Sequence, residues 1–392
     1  MTCARDRRGI ALPMALMTLC MLATLSAVFA TLARTEPVIA TNHLRSAQAR
    51  LMADSGLERA LWALTNATAP GAFGGTGTPP NVVVNAAAAA PYDGSSFIRL
   101  GPEGGFFVMV SGSDQHVRVV RSIGWSPHGE GPGTRTSSTS RVVASVARVR
   151  NVPREAVCAV CTGTTVGLTS AVTVDARGSD ASDCGAKAAV AASADVVFGA
   201  SARLFGAGAA PGESAANVEG RDWLGSQAVP SLTDEDLDTL KALAATRGGY
   251  RRPPSDGPFE LTDVRDGLVF VDTPAGTNAL APTNRAVVAI RPGFAAQVPF
   301  RGWIVVNGDV SLEGHFGEIA GLVYAANAVS AADSGGSRIT GMIVAAGRLG
   351  APASILGNLS VAFDCTAARG SSLLPSGWFV RPGAYCDRPT GC

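Results

Sequence analysis

The feature that most constrains this chain is an uncharged run at its front. From Ile10 to Ala33 there are 24 positions without one charged side chain. Arg5, Arg7 and Arg8 precede the run, and Arg34 and Glu36 follow it. An apolar run of roughly 18 or more residues signals a membrane span, because in lipid the backbone must satisfy its own hydrogen bonds and a single helix does so. Basic residues ahead of it hold that end on the cytoplasmic side, so the chain from Arg34 onward is expected to be extracytoplasmic. A cleaved signal peptide has an apolar core of only about 7–15 residues. This run is longer, and helical patterning continues past it. An unprocessed signal anchor is the plainer alternative.

The helix is expected to continue to about Leu64. Pro37 should interrupt and kink it just past the membrane, since proline removes one hydrogen bond and clashes with the preceding turn. Beyond Pro37, Leu44, Ala47, Leu51, Leu57 and Leu61 approximate one apolar face, with Arg45, Arg50, Glu58 and Arg59 mostly elsewhere. Such a half-helix needs a sheet to cover its stripe, which is ordinary core packing and implies no cofactor.

Two details go beyond an anchor. A short basic leader ends at Gly9 and the apolar run begins at once with Ile10-Ala11-Leu12. One long helix later comes Ala53-Asp54-Ser55-Gly56-Leu57-Glu58-Arg59-Ala60-Leu61. In these residues the sequence resembles the type IV pilin-like proteins, most closely the PilX-type minor pilins. The resemblance covers residues 5 to 64. It implies that prepilin peptidase cuts after Gly9 and leaves Ile10 as an N-methylated terminus. Major pilins carry Glu at the fifth mature position, where this chain has Met14; that departure fits a minor or tip-located subunit.

The remaining chain reads as β-rich. Residues 65 to 94, with Gly-Gly-Thr-Gly-Thr-Pro-Pro and an alanine run, form a linker or loop. Strands are expected at 96–100, 105–111, 116–125 and 136–149, rich in Val, Ile and Phe between Gly, Pro and Asp. A long helix with such an antiparallel sheet is the plan that the pilin resemblance implies, the sheet covering the stripe. From 156 to 392 an internal repeat appears. Gly302-Trp303-Ile304-Val305-Val306, Gly321-Leu322-Val323-Tyr324-Ala325 and Gly341-Met342-Ile343-Val344-Ala345 share one pattern at offsets of about 20 residues, and Gly357 to Asp364 gives a shorter fourth unit. Short strands at that period, without helices between them, point to a β-solenoid. Residues 171–174 and 194–198 are candidate earlier coils. One helix interrupts the region, with Thr233 as cap, Asp234, Glu235 and Asp236 in its first turn, Leu237, Leu240 and Leu243 as its apolar face, and Gly248-Gly249 as its stop.

The fold class expected is therefore α+β: a leader over 1–9, a membrane or filament-core helix over 10–33, a pilin-like helix and sheet over 34–155, and a mainly β, solenoid-like domain over 156–392. Net charge is +1 and only 16% of residues are charged, so no nucleic-acid partner is indicated.

Eight cysteines are present. Cys3 lies in the leader and Cys20 in the apolar run. Cys158, Cys161, Cys184, Cys365, Cys386 and Cys392 form an even set beyond the membrane, which reads as disulfides; sequence alone leaves 15 pairings open. Cys158-x-x-Cys161 could be half a zinc site or a redox pair, but no second half-site or βαβ pattern accompanies it. The four histidines, His43, His116, His128 and His315, lack metal spacing, and no nucleophile elbow or phosphate loop occurs. Asp309, Glu313, Glu318 and Arg348 are the nearest candidates for glycan chemistry on a solenoid flank, yet their spacing fixes no acid/base pair.

No catalysis and no cofactor or metal is expected. The expectation is a single-pass inner-membrane subunit that moves to a pilus or secretion filament, at its tip or as its primer. Its partners are other pilins or pseudopilins, the assembly machinery, prepilin peptidase, and a surface or glycan ligand. The alternatives are a membrane-anchored binding or adhesion protein and a glycan-active enzyme.

Overall fold

The computed structural model describes residues 11–65, 90–102, 104–112, 117–126, 138–169, 171–179, 184–207, 223–224, 228–255, 257–262, 264–332, 335–370 and 377–387. Most of the expected linker at 65–94 lies outside them. The fold is mixed α+β, a long N-terminal helix followed by many strands. The chain divides into two compact units: Met1–Gly112, Val119–Ala144 and Cys386–Cys392 form one, Ser113–Arg118 and Ser145–Tyr385 the other.

In the first unit, helix α1 (Ala11–Thr65) has 55 residues, about 80 Å of rod at 1.5 Å per residue. Contrary to the sequence expectation of an interruption, helical backbone continues through Pro37. The Ala33 carbonyl loses its partner there, while Thr41 Oγ1 donates to the Pro37 carbonyl at 2.7 Å. Strands β1 (Ile98–Arg99), β2 (Gly105–Ser111), β3 (Val117–Ser126) and β4 (Ser138–Ala147) lie side by side in chain order. The β1–β2 and β2–β3 pairs are antiparallel. Val120, Ser122, Gly124 and Ser126 of β3 are buried, alternating with more exposed neighbours as a half-covered strand requires.

The stripe that α1 buries differs from the one its leucines outline. Ala49, Ala53, Gly56, Leu57, Ala60 and Ala63 are buried, whereas Leu44 and Leu51 are 59% and 63% exposed and Ala47 also faces out. The physical reason is proximity. A Cβ on Gly124 would sit 2.1 Å from the Ala49 carbonyl oxygen and 2.4 Å from the Ala53 nitrogen. Helix and sheet approach backbone to backbone, and only small residues fit between them. Ser126 Oγ donates to Gln48 Oε1 at 2.8 Å along the same contact.

The second unit opens with α2 (Val152–Glu155), followed by β5 (Cys158–Thr162), β6 (Val166–Thr169), β7 (Thr173–Asp175), β8 (Ala188–Ala192), β9 (Val196–Phe198), β10 (Arg203–Phe205) and β11 (Trp223–Leu224). Helix α3 (Asp234–Thr246) comes next, with Thr233 and Asp236 forming a capping box and Leu237, Leu240 and Leu243 buried. Then follow β12 (Tyr250–Arg251), β13 (Pro258–Glu260), β14 (Gly267–Val271), β15 (Ala286–Ile290), β16 (Ala295–Val306), β17 (Gly308–Glu313), β18 (Gly317–Ala325), β19 (Val329–Ala332), β20 (Arg338–Ala345), β21 (Ala353–Leu356) and β22 (Ser360–Ala362). Helix α4 (Cys365–Ala368) and β23 (Phe379–Cys386) close the series.

From β12 to β22 successive strands enter alternate sheets. One runs β12-β14-β16-β18-β20-β22-β7-β10, with β5, β8 and β11 continuing from β20; the other runs β13-β15-β17-β19-β21-β6-β9. Every registered pair in them is parallel. Both sheets are open. Gly302, Gly321 and Gly341 lie side by side in register, as do Ile304, Val323 and Ile343. A Cβ on Gly321 would fall 1.6 Å from the Gly302 carbonyl oxygen, and one on Gly341 2.0 Å from that of Gly321. The glycine column is therefore a steric requirement of stacking. Phe270, Ile304, Tyr324, Val344, Leu168 and Leu204 belong to one continuous buried core.

The segments expected as earlier coils lie elsewhere in the stack. β7 pairs with β22 and β9 with β6. They extend the sheets beyond the last glycine unit instead of preceding the first.

Candidate functional site

The candidate site is the front half of α1. Its described side chains are exposed on every side: Leu12, Met14, Leu16, Met17, Leu19, Met21, Leu22, Leu25, Val28, Phe29 and Leu32 all face out. One helix of the described residues is long and apolar enough to cross a membrane, with a window of mean hydropathy 2.0 and none of it buried. The 24 uncharged positions span roughly 36 Å as a helix, against about 30 Å of bilayer hydrocarbon.

The threonine side chains in this stretch are folded back onto the helix. Thr18 Oγ1 donates to the Ala15 carbonyl at 2.9 Å, Thr24 to Met21 at 2.9 Å and Thr31 to Val28 at 2.7 Å. A hydroxyl satisfied by its own helix costs little to place in an apolar medium. The surface is thus suited to hydrocarbon or to other apolar helices, and unsuited to water.

The sequence-derived residues fall into three groups. Gly9, Ile10 and Cys392 lie outside the described residues. Cys158 and Cys161 form a disulfide within β5, both fully buried, and Cys184 bonds Cys365 across 181 residues of chain; Cys386 is disulfide-bonded as well. The buried position of Cys158–Cys161 denies access to a thiol partner, which disfavours the redox reading. Cys20 is the free cysteine among the described residues.

The third group comprises the charged candidates of the second unit. Asp309 and Glu313 line one groove of about 360 Å³ over the second sheet, and Glu318 and Arg348 do not. Each is held by partners. Asp309 pairs with Arg285 at 2.9 Å and accepts from Asn327 Nδ2 at 2.6 Å. Glu313 accepts from Ser311 Oγ at 2.9 Å and from Arg291 Nε at 3.2 Å, and Arg291 also reaches Glu260. Glu318 takes the Thr340 hydroxyl at 2.8 Å; Arg348 donates to Asp234 at 2.9 Å and to the Leu232 carbonyl. Among the described residues no three His, Cys, Asp or Glu side chains gather as a metal group.

Two buried charges escaped sequence reasoning. Asp272, fully buried, receives Lys241 and the Tyr250 hydroxyl, the latter at 3.0 Å. Burial, then the bond to Asp272, pushes the Tyr250 phenol up to about 12. Lys187, only 3% exposed, donates to the carbonyls of Arg154, at 3.2 Å, and Ala156. Burial, with the nearby Arg369 adding to it, pulls its ammonium down to about 8. For Asp272 the available signal was a carboxylate abutting the apolar run Gly267–Val271; Lys187 had none.

No protein-family model matches the chain, and no curated protein does. Among solved structures, a match is the crystal structure of the competence-associated pilin ComZ from Thermus thermophilus. It is 12% identical over 88% of this chain and 98% of that chain, with a TM-score of 0.23. Superposition of that quality establishes no shared fold.

Proposed function

We propose that the chain is a minor pilin or pilin-like subunit of a type IV pilus or related secretion filament, acting by assembly and not by catalysis. The observation that carries this reading is the front of α1: a long helix, apolar all round, with its threonine hydroxyls satisfied by its own carbonyls. Such a surface can pass from lipid to a bundle of like helices without exposing a polar group to either. The Gly9-Ile10 join and the segment from Ala53 to Leu61 supply the resemblance to PilX-type proteins. Before assembly the protein resides in the inner membrane with its remainder extracytoplasmic; afterwards it lies at the cell surface with other pilins or pseudopilins, delivered by their assembly machinery.

The second unit is read as coils of a β-solenoid. What supports that is the alternation of successive strands between two parallel sheets, in register at the spacing of the repeat. A unit of this bulk suits a tip or priming position, where only one copy need be accommodated. The engagement of Asp309, Glu313, Glu318 and Arg348 by structural partners favours a binding role for this unit over hydrolysis of a glycan.

The test is the mature N-terminus. Mass spectrometry of protein recovered with sheared filaments is expected to find Ile10, N-methylated, and Gly9→Ala is expected to block both processing and incorporation. An intact Met1 on filament-free, membrane-bound protein that is indifferent to Gly9→Ala would overturn the reading in favour of a simple anchored binding protein.

A further inference from the structure

We infer that Cys158 and Cys161 are the substrate of a thiol–disulfide oxidase, which joins them before the sheets of the second unit close. The inference rests on the extracytoplasmic placement of that unit, where thiols meet an oxidising environment. The completed fold leaves this pair no route to an oxidant. Cys158 and Cys161 are both fully buried, and Ala159 and Val160 between them are buried too. β5 is paired along both edges. Cys158, Val160 and Cys161 lie beside Ala188, Val190 and Ala191 of β8, while Val160 and Cys161 lie beside Ile343 and Val344 of β20. Exchange with a disulfide needs a thiolate that the partner can reach, and apolar burial withholds both the charge and the access. Oxidation therefore precedes closure.

The order of strands sets the interval. β8 follows β5 closely along the chain, whereas β20, the cover on the other edge, starts only at Arg338. At about 5–20 residues per second, β20 trails Cys161 by roughly 10–35 s. Disulfide formation takes seconds to hours depending on the oxidant. An uncatalysed reaction misses so short an interval, and a catalysed one meets it. The second half of the step is fast for a different reason. Only Ala159 and Val160 separate the two cysteines, so the mixed disulfide is resolved within one short loop.

One thiolate of the pair attacks a sulfur of the oxidase disulfide and forms a mixed disulfide, expelling the other enzyme sulfur as a thiolate. The second cysteine then attacks its neighbour's sulfur, which closes the Cys158–Cys161 bond and releases the first enzyme sulfur. Two electrons and two protons pass from the chain to the enzyme, which is left as a dithiol. Cys184–Cys365 follows late in folding, since 181 positions separate its cysteines and α4 carries Cys365 beyond β22. Each of these two bonds joins a cysteine to the next one along the chain. An oxidase that meets thiols in order of appearance thus makes both native pairs without an isomerase.

The full chain in detergent is reduced, unfolded in urea and diluted into native buffer with oxidised glutathione, with or without a purified thiol–disulfide oxidase. Aliquots are quenched with acid, alkylated and mapped by peptide mass spectrometry. The expected result is Cys158–Cys161 complete before Cys184–Cys365 accumulates, and formed at least about 10-fold faster with the oxidase. In Cys184→Ser with Cys365→Ser the first bond is expected at the wild-type rate; since that bond precedes folding, the variant need not fold to be informative. Cys158 and Cys161 still open to alkylation once Cys184–Cys365 has formed overturn the inference, as does a rate indifferent to the oxidase. In cells, an oxidase whose second active-site cysteine is replaced by serine is expected to be trapped on Cys158 or Cys161. Thiols that stay free in cells while the order holds in vitro overturn the extracytoplasmic placement, and with it the oxidase; a reversed order in vitro overturns the inference alone.

Discussion

At the scale of single residues, Lys187 is the group whose chemistry the fold alters most usefully for a test. Its ammonium sits against two carbonyls and the Phe363 ring, with Arg369 close enough to repel it. The folded pKa, about 8, lies below the ordinary 10.5. Between those values the unfolded chain binds the proton more tightly, so stability rises with pH across that window; below pH 8 the penalty is present in full. Urea midpoints of the full chain are therefore expected to climb between pH 8 and 10.5. In Lys187→Met the climb should shrink, and an unchanged slope would mean that the ammonium is not buried in solution. The slope has the same sign for Asp175, although there the fold favours the charged form. Its bond to Arg177, strongest among its influences, holds its carboxyl below the usual range, so that contribution is lost as pH falls through the folded value.

At the scale of elements, the contact between α1 and its sheet depends on what is missing from Gly124. Replacing it with valine forces the helix off the sheet, because the nearest atoms are backbone and cannot rotate away. The expected cost is about 1–3 kcal/mol or more, with faster amide exchange over residues 49–63. Leu51→Ala, on an exposed side chain, should stay within about 0.5 kcal/mol. The same element shows where sequence reasoning reaches and where it stops. The extent of α1 follows from an unbroken apolar and helical pattern, and the ends of β2 and α3 follow from their turn and cap residues. The covered face of α1 does not, because size outweighed hydrophobicity where β3 comes closest: Ala49 and Ala53 lie under Gly124, while Leu44 and Leu51 stay exposed. Periodicity likewise exposed the Gly302, Gly321 and Gly341 units but missed Gly267–Val271, which pairs with Gly302–Val306 in the same fashion. A long insertion between β14 and β16 hides the period. Edge protection, by contrast, is written plainly: β12 carries Arg251 and is followed by Arg252-Pro253-Pro254, a sequence that cannot template a further strand.

At the scale of the whole molecule, the proposed filament would give the outward leucines of the rear half of α1 a role. Leu44 and Leu51 continue the exposed apolar surface past the uncharged run, where no lipid is expected to cover them. In a filament they meet neighbouring helices. Leu44→Glu with Leu51→Glu should leave urea unfolding of the isolated chain within about 1 kcal/mol while depleting the protein from sheared filaments. Normal incorporation of the double variant would show that the helix contacts its neighbours elsewhere. The second unit has its own order of completion. Strands β5, β6 and β7 pair with β20, β21 and β22, and Cys184 waits for Cys365. β8, β9 and β10 cover one edge of these strands early, but in a chain emerging from its N-terminus the other edge stays open until β20, β21 and β22 exist. Those edges stay open through most of synthesis, the period in which unpaired sheet edges attract wrong partners. The oxidised state of Cys184 is consequently a clock: a cell that traps this thiol free has caught the molecule before Cys365 was in place.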